Sequence, residues 1–574
     1  MINYKKLAAA MAAGTIAIFT ITGCAMPWQK AADNSSSNVS TVSAGNLSQS
    51  GENALSLEFD SEDLDSSYNE SECTKINLSG SGATVSGSGV TVENGNITIT
   101  FAGNYIISGT LTDGSIKVNC SEKGTVRLIL NGASISSSST VPVVVEDAKK
   151  VLVTLADGTT NSITDKTRQS VDDEDFSAAV YSKTDLVFNG SGTLNVNAGY
   201  RNGIKSTDDL KVVSGTFNIT SNEDGIIGKD LLGIKDGKFT IKSGSDGMKS
   251  TCDTDTSKGN IVITGGLYTL DCEDDGVHSS GDILISGGNL TISSGDDGVH
   301  ADDTLQVDGG TIDIKKCYEG LEGVYITLND GDISIVASDD GINASDGSSS
   351  SGMGMGGFGG GQTSSSDSSI LLTINGGNIF VNASGDGLDS NGNIVMNGGN
   401  VTVLGPTSDG DTALDFDGTF TINGGVLMAF GSSGMLETPT TAQNGCCIVT
   451  TLGNVSANSA FSLTDSSGNV IMSYTPTKNY ASAIVYSSDI KSGSTYTVTA
   501  GSTTQSITVD SNVTTNGVGG GFGGGQNGGF GGGQRGEQPG KSNRQGGNQQ
   551  GGMPGGNSGN GHSNSASSST VNQV

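Results

Sequence analysis

The stretch 280–302, SGDILISGGNLTISSGDDGVHAD, decides the fold of this chain. Apolar residues recur at every second position in two short runs, Ile283 with Ile285 and Leu290 with Ile292, and Gly287-Gly288 separates the runs. Alternation with a period of two is typical of a β-strand, and paired glycines permit the positive φ of a sharp corner. A second corner follows at Asp297-Gly298. The stretch therefore predicts short strands joined by tight corners.

A step from an acidic residue to glycine and then to an apolar residue recurs along the chain. The members of this acidic-glycine step are Asp224-Gly225, Asp246-Gly247, Asp275-Gly276, Asp297-Gly298, Glu319-Gly320, Asp340-Gly341 and Asp386-Gly387. Successive steps are 22, 29, 22, 22, 21 and 46 residues apart, and the last interval fits two coils or one coil with an insertion. A nearly constant period of this length is typical of stacked repeats. We therefore predict an all-β parallel β-helix, a solenoid of about 22 residues per coil, in which carboxylates form a column.

The composition agrees with a solenoid rather than a compact globular core. Of the 574 residues, 90 are glycine, 33% are hydrophobic and 5% are aromatic, which suits small apolar ladders. No segment of the repeat region sustains a helical period with caps. The net charge of −32 argues against nucleic acid or an anionic membrane surface as a direct partner. We expect a monomer.

The N-terminus indicates the cellular compartment. Lys5 and Lys6 precede an apolar run over 7–21, which ends in small residues before Cys24. This order predicts a lipoprotein signal peptide over residues 1–24, with Cys24 carrying the lipid; the alternative is an ordinary signal peptide with an incidental cysteine. The rest of the chain has no apolar stretch long enough to span a membrane. We expect a protein anchored by its lipid on the extracellular face of the cell membrane.

Changes in composition divide the remainder of the chain. Residues 25–72 are rich in Ser and Asn and end in an acidic run, so we expect a disordered tether. The solenoid is predicted over 73–430, with a Gly/Ser-rich insertion at 345–369. Residues 446–510 alternate as short strands and are expected to cap the end of the solenoid. The Gly-rich tail over 516–574 is predicted to be disordered.

Three consecutive blocks resemble a known family. They read TVPVVVEDAKKVLVTLADGTTNSITD at 140–165, SAAVYSKTDLVFNGSGTLNV at 177–196 and NGIKSTDDLKVVSGTFNIT at 202–220. With the steps, the insertion and the C-terminal segment that follow, the chain resembles the clostridial carbohydrate-binding β-helix family, whose fold is like that of polysaccharide lyases. The resemblance implies a right-handed parallel β-helix that binds calcium and plant cell-wall polysaccharide, notably acidic pectic sugars and cellulose. It implies a cell-surface adhesin or receptor rather than an established enzyme.

The acidic columns are the candidate calcium site. Calcium takes six to eight oxygen ligands, and neighbouring coils would present carboxylates and turn carbonyls at close range. The alternative is that each Asp caps its own turn by accepting local backbone amides. The candidate ligands are Asp224, Asp246, Asp274, Asp275, Asp296, Asp297, Asp302, Asp303, Glu319, Asp339 and Asp340.

The candidate sugar contacts are the tyrosines Tyr200, Tyr268 and Tyr318, which could stack on sugar rings or equally cover the corners of coils. A chain with this negative charge should repel uronic acid polymers unless a cation bridges the two. We therefore expect chelator-sensitive binding, and the residues alone favour acidic sugars over cellulose.

Two further functions stay open at this point. A pectate-lyase-like enzyme would need a base beside a calcium ion, and Lys205 or Lys249 could serve. The alternative for both lysines is an ion pair with the acidic columns. His278 and His300 are 22 residues apart, so their rings are predicted to stack. The third function is a purely structural surface stalk.

Overall fold

The computed structural model describes the strand Ser40–Val42 and residues 55–122, 124–166, 176–252, 254–346 and 369–517. The predicted signal peptide with Cys24, most of the predicted tether, residues 347–368 of the insertion and the tail from residue 518 lie outside the described residues.

Parallel strands form three stacks, each of which makes one face of the chain. Face 1 consists of Asn96–Ile99, Ser115–Asn119, Val143–Asp147, Ala178–Ser182, Asn202–Ser206, Ile226–Gly228, Met248–Ser250, Val277–Ser279, the first halves of Val299–Val307 and Leu321–Leu328, Ile342–Ala344, Leu388–Ser390 and Leu414–Phe416. The acidic-glycine steps lie immediately before the strands of this face.

Face 2 follows face 1 in each coil. Its strands are Thr74–Gly80, Gly103–Leu111, Thr125–Ser137, Lys150–Leu155, Leu186–Gly190, Asp209–Val212, Leu231–Ile234, Asn260–Ile263, Ile283–Ile285, the second halves of the two long strands of face 1, Leu371–Ile374, Asn393–Met396, Phe420–Ile422 and Thr441–Ala442.

Face 3 completes the coil. Its strands are Thr160–Asp165, Thr193–Ala198, Thr216–Ser221, Lys238–Ser243, Leu267–Cys272, Asn289–Ser293, Thr311–Cys317, Asp332–Ala337, Asn378–Asn382, Asn400–Leu404 and Val426–Gly431. The last part of Thr125–Ser137 also belongs to this face, because Ser134 lies opposite Ser162.

The register shows how consecutive coils stack. Val277 lies opposite Val299, an offset of 22 residues. Ile342 lies opposite Leu388, an offset of 46 residues, and the two strands are direct neighbours. The longest interval between steps is therefore one coil with an insertion, not two coils.

The core lies inside the three faces. Side chains one coil apart form apolar ladders, such as Phe217, Phe239 and Tyr268, whose rings stack in parallel with centroids 5.0 Å apart.

Two kinds of glycine permit this close stacking of coils. Gly288 has φ +98° at its corner, whereas a Cβ on Gly276 of the step would lie 2.5 Å from the carbonyl oxygen of Gly298. Glycine in the step is thus required by the close approach of the next coil.

Residues 55–72, which the sequence analysis assigns to a disordered tether, instead pack on the outside of face 2, and we name them the N-terminal strap. Leu57 and Phe59, in the strand Leu57–Phe59, are 0% and 1% exposed and contact face 2. The helix Ser61–Leu64 and the 3-10 turn Glu70–Glu72 follow. The acidic composition misled the prediction because Lys150 of face 2 binds the strap carboxylates, with Nζ 2.7 Å from Asp60 Oδ2.

Antiparallel strands close both ends of the parallel stacks. Thr74–Gly80 pairs with Gly82–Ser86, and Asn96–Ile99 pairs with Val90–Glu93. At the other end Tyr480–Ser487 lies between Val426–Gly431 and Cys446–Val455, and Val513–Asn516 pairs with the latter. A separate four-stranded sheet consists of Val470–Tyr474, Phe461–Thr464, Thr495–Ala500 and Thr503–Thr508. No helix among the described residues is long and apolar enough to cross a bilayer.

Candidate cation-binding column on face 1

The acidic residues of the steps form a hydrogen-bonded ladder between coils. The backbone N–H of Asp275 donates to Asp246 Oδ1 at 3.1 Å, and that of Asp297 donates to Asp275 Oδ1 at 2.8 Å. The same bond joins Asp224 to Asp246, Asp297 to Glu319 and Asp340 to Asp386. Each Asp therefore accepts a backbone N–H, as the turn-capping alternative expects. The N–H belongs to the next coil, however, and not to the turn of the Asp itself. The second carboxylate oxygen remains available to other partners.

In the first half of the column these second oxygens are bound by cationic side chains. Lys249 Nζ lies 2.5 Å from Asp246 Oδ2 and 4.0 Å from Asp224 Oδ1. The residues three positions after the steps at Asp246, Asp275 and Asp297 provide these partners, because they point outward from the centre of the same strand. We name the part of the column from Asp224 to His300 the proximal half.

Two histidines continue this series of partners. The rings of His278 and His300 are 4.9 Å apart and 12° from parallel, which confirms the predicted stack. Asp275 Oδ2 lies 3.6 Å from Nδ1 of both rings. On the other edge of the rings, Asp302 Oδ1 lies 3.6 Å from Nε2 of His278 and 3.4 Å from Nε2 of His300. Carboxylates therefore flank both edges of the stack.

This arrangement holds the histidines in their charged form. Burial disfavours the cation, but hydrogen bonds to Asp246 and Asp302 more than offset it and raise the pKa of His278 to about 10. Burial also disfavours the charged form of His300, but the hydrogen bond to Asp275 favours it, and the pKa of His300 is raised as well. The pKa of Asp246 is lowered, because His278 and Lys249 outweigh its burial. The proximal half thus supplies its own cations.

Several predicted calcium ligands lie in the proximal half. Asp246, Asp274 and Asp275 each place an oxygen within 4.8 Å of the others, so the structure brings these three together. A metal ion there would have to compete with Lys249 and His278. Asp296 lies at the exposed rim beside Asp275, where burial and its acidic neighbours raise its pKa. Asp303 is separate from this group. Burial and the charge of Asp303 raise the pKa of Asp282, which lies at another corner.

The described residues of the second half of the column include no such cation, and we name the following set the distal acidic cluster: Glu319, Asp340, Asp386, Asp389, Asp415 and Glu437. Burial, followed by Asp340, Asp415 and Asp386, raises the pKa of Asp389 to about 9. Burial raises the pKa of Asp340 to about 7, and Asp339 adds to it. The charged groups that act on Asp389 are all carboxylates. Concentrated negative charge is therefore relieved here by proton uptake or by an added cation.

Two buried oxygens inside this cluster have no hydrogen-bond donor among the described residues: Asn343 Oδ1 and Thr412 Oγ1. Asn343 is 8% exposed, lies opposite Asp389 in the register, and donates from Nδ2 to Glu319 Oε2 at 2.7 Å. Thr412 is 1% exposed and its backbone N–H donates to Asp386 Oδ1 at 2.5 Å. Leaving a buried acceptor unpaired costs about 1–3 kcal/mol.

The donor set of the distal acidic cluster fits a hard cation. It offers carboxylate, amide and hydroxyl oxygens and no nitrogen or sulfur, which is the ligand type of Ca²⁺. Glu319, Asp339 and Asp340 were expected from the sequence. Asn343, Asp386, Asp389, Thr412 and Asp415 were missed as ligands, although Asp386 was recognised as a step. The available signal was the change from Lys and His to Asn and Asp at the position three residues after the step.

Two of the three tyrosines predicted to contact sugar lie in the protein interior. Tyr268 is 2% exposed and stacks on Phe239, because it occupies an inward position of its strand. Tyr200 is 8% exposed. Tyr318 is 46% exposed and accessible to a ligand. The prediction for Tyr268 is therefore wrong, since strand parity turns the ring into the core.

Of the two candidate lyase bases, Lys249 differs from a lysine prepared for proton abstraction. The pKa of Lys249 is raised, because Asp224 and Asp246 outweigh its burial, whereas a general base needs a lowered pKa. Lys205 Nζ donates to Ser177 Oγ at 3.3 Å. The ion-pair interpretation of Lys249 is confirmed by its 2.5 Å contact with Asp246.

Comparisons with known proteins agree with the resemblance found in the sequence. The family model of carbohydrate-binding domain-containing proteins matches residues 93–357. A carbohydrate-binding domain-containing protein from Acetivibrio thermocellus is 36% identical over 124 residues, which are 21% of this chain and 43% of the relative. The match thus spans less than half the length of that relative.

A solved structure, a polysaccharide lyase-like protein from C. thermocellum determined as a gadolinium derivative, is also similar. Its sequence identity is 30% and its TM-score 0.40, over 41% of this chain and 96% of that chain. Residues 93–357 are therefore similar to carbohydrate-binding domain-containing proteins, in agreement with the family that the repeated blocks resemble.

Proposed function

We propose that the protein is a cell-surface receptor or adhesin for acidic plant cell-wall polysaccharide, which it binds through calcium in the distal acidic cluster. The scaffold would be a right-handed parallel β-helix of about 22 residues per coil, fixed to the outside of the membrane by a lipid on Cys24. The observation that carries the proposal is the pair of buried, unpartnered oxygens among carboxylates whose pKa values are raised.

The chemistry of the cluster supports this choice of ligand. The cluster extends over four coils, so its two unpartnered oxygens would serve different cations: Asn343 Oδ1 with Asp340, Asp386 and Asp389, and Thr412 Oγ1 with Asp386, Asp389 and Asp415. When bound, calcium would offer remaining coordination positions to the carboxylates of a uronic acid polymer. The protein residues fix the cation at one end of face 1 and cancel the repulsion that a net charge of −32 imposes on an acidic polymer.

The test is retention of the full chain on insoluble polygalacturonate, with calcium or with chelator. We expect retention only with calcium, and we expect Asp389→Asn to lose it. Asp255→Asn, in an exposed loop, is the matched control and should bind as the wild type does. Retention of Asp389→Asn at the wild-type level would overturn the assignment of the site.

The enzymatic alternative rests on one observation, the likeness to a protein described as polysaccharide lyase-like. β-Elimination produces an unsaturated uronate that absorbs ultraviolet light, so the same supernatants report cleavage. Product that disappears in Lys205→Ala or Lys249→Ala would make the protein a lyase. Neither retention nor product would favour the structural stalk.

The surface location has its own test. Cys24→Ala should leave the folded chain unchanged but move it from the membrane fraction to the medium. Membrane association of Cys24→Ala equal to that of the wild type would contradict a lipid anchor on this residue.

A further inference from the structure

Face 3 carries a surface whose chemistry is opposite to that of the acidic column. In three consecutive strands, Thr160–Asp165, Thr193–Ala198 and Thr216–Ser221, the outward positions alternate with buried ones. All nine outward residues are uncharged and carry a hydroxyl or an amide; we name this set the amide-hydroxyl surface: Thr160, Ser162, Thr164, Thr193, Asn195, Asn197, Thr216, Asn218 and Thr220.

The neutrality of this surface is local. Further along the same three rows of face 3, charged residues appear at Lys238, Lys242, Asp271, Asp313 and Asp332. In a chain with a net charge of −32, carboxylates are expected on a solvent-facing surface of three coils, so their absence from these nine positions is unusual. The uncharged rows contribute most of the lining of a groove on this face.

A groove of about 290 Å³ lies on this stretch. It is lined by Ser162, Asn195, Asn197, Asn218 and Thr220, and Lys242 borders it in the next coil. Asn218 Nδ2 donates to Asn195 Oδ1 at 2.8 Å, which fixes the two amides relative to each other. Each amide retains capacity for further donor and acceptor bonds, the pattern that adjacent sugar hydroxyls require.

We propose that this groove binds an uncharged, hydroxyl-rich polysaccharide by direct hydrogen bonds and without a metal ion. Coils spaced about 4.8 Å apart repeat the same hydroxyls and amides at a distance similar to the length of one sugar ring. An extended glycan lying along the stack therefore meets equivalent partners at each coil. The proposal rests on the carbohydrate-binding function, but it does not depend on calcium or on the distal acidic cluster.

The groove differs from an aromatic sugar platform. Its lining has no aromatic side chain among the described residues, so its contribution comes from several weak, oriented hydrogen bonds. Such a site selects the geometry of sugar hydroxyls. It offers an acidic polymer a single ammonium among the described lining residues, that of Lys242. That ammonium is already 2.7 Å from Asp271 Oδ2.

The experiment compares two polymers on the full chain by affinity electrophoresis in gels that contain chelator. The uncharged probe is hydroxyethylcellulose, with galactomannan in a second arm, and the acidic probe is polygalacturonate. We expect retardation by an uncharged probe to persist in chelator. The double variant Asn195→Ala/Asn218→Ala should weaken it at least tenfold, and these substitutions on the outer side of the strands should leave the unfolding temperature unchanged.

The matched control is Thr269→Ala/Thr291→Ala, which removes hydroxyls from the same central row of face 3 beyond the groove. It should bind as the wild type does. Retardation that is abolished by chelator, that is absent with both uncharged probes, or that survives the double asparagine substitution would overturn the proposal. If the calcium site is wrongly assigned, Asp389→Asn will bind polygalacturonate as the wild type does. The two proposals are therefore tested by different measurements.

Discussion

The two halves of the column on face 1 are built from the same step and differ in their neutralisation. In both, a carboxylate oxygen accepts the backbone N–H of the next coil, as in Asp275 to Asp297 and in Asp340 to Asp386. In the proximal half, Lys249, His278 and His300 compensate the second oxygens. In the distal acidic cluster, Asn343, Asp389 and Asp415 occupy the equivalent positions. One position per coil therefore decides whether the column carries its own cations or must recruit them.

The largest effect should come from removing the built-in cations. His278→Gln/His300→Gln leaves Asp275 and Asp297 without their charged partners and Asp246 with Lys249 alone, and breaking buried ion pairs costs about 3–5 kcal/mol. We expect the free energy of unfolding to fall by about that amount at neutral pH, measured by denaturant titration with circular dichroism. A His→Gln variant as stable as the wild type would show that the two halves do not differ in this way.

Calcium should act on the other half. A ligand that binds only the folded state at one hundred times its Kd stabilises it by about 2.7 kcal/mol. We therefore expect calcium to raise the Tm of the wild type, and Asp386→Asn/Asp389→Asn to abolish the rise. The histidine double variant keeps an intact distal cluster and should retain the response of that cluster. The comparison would be reversed if calcium no longer raised the Tm of the histidine double variant but still raised the Tm of Asp386→Asn/Asp389→Asn.

The pH dependence of stability has the same sign in both halves of the column, and calcium distinguishes them. The folded-state pKa of Asp389 is raised from 3.8 to about 9, so the metal-free fold binds more protons than the unfolded chain between these values and loses stability as pH rises. His278 contributes stability that is complete below its ordinary pKa of 6.5 and is lost as pH rises towards about 10. We expect the metal-free protein to be more stable at pH 5 than at pH 8, with calcium reducing the difference. Equal stability at both pH values without calcium would contradict this account.

The smallest effect concerns a single hydroxyl. Thr412→Val replaces the unpartnered Oγ1 by a methyl group of similar shape, so the metal-free protein should gain about 1 kcal/mol while calcium binds more weakly. Isothermal titration with calcium and thermal unfolding without it measure both changes. Thr412→Ser keeps the hydroxyl and serves as the control. A Thr412→Val variant that binds calcium as tightly as the wild type would remove this oxygen from the site.

The sequence predicted the features that depend on periodicity. The strand alternation, the corners, the position of the step and the stack of His278 on His300 all follow from residues one coil apart. It did not predict which carboxylates are compensated, because that depends on the residue three places after the step and on its neighbours in two coils. Tyr268 was misplaced for a related reason: a strand with alternating residues has two faces, and composition alone does not say which face is inward.

The strap was missed because its partners are distant in sequence. Glu62 and Asp63 suggest solvated chain when taken alone, but Lys150 and Arg127 lie far along the chain and bind them only after the coils have stacked. Leu57 and Phe59 are only two apolar residues, too few to predict a buried segment by periodicity.

The docked strap also has a mechanical consequence. Leu57 sits over Gly233, where a Cβ would approach its Cδ1 to 2.3 Å, and it belongs to an apolar cluster that reaches Val262 and Leu284. Arg127 holds the other end of the strap through the carbonyl of Ser67 at 2.8 Å. A pull on the chain before residue 55 is therefore taken up as shear along the flank of several coils, and the first strand, Thr74–Gly80, is not peeled from its neighbour. For a protein tethered at its N-terminus, this geometry would let the solenoid bear load without unravelling from the tethered end.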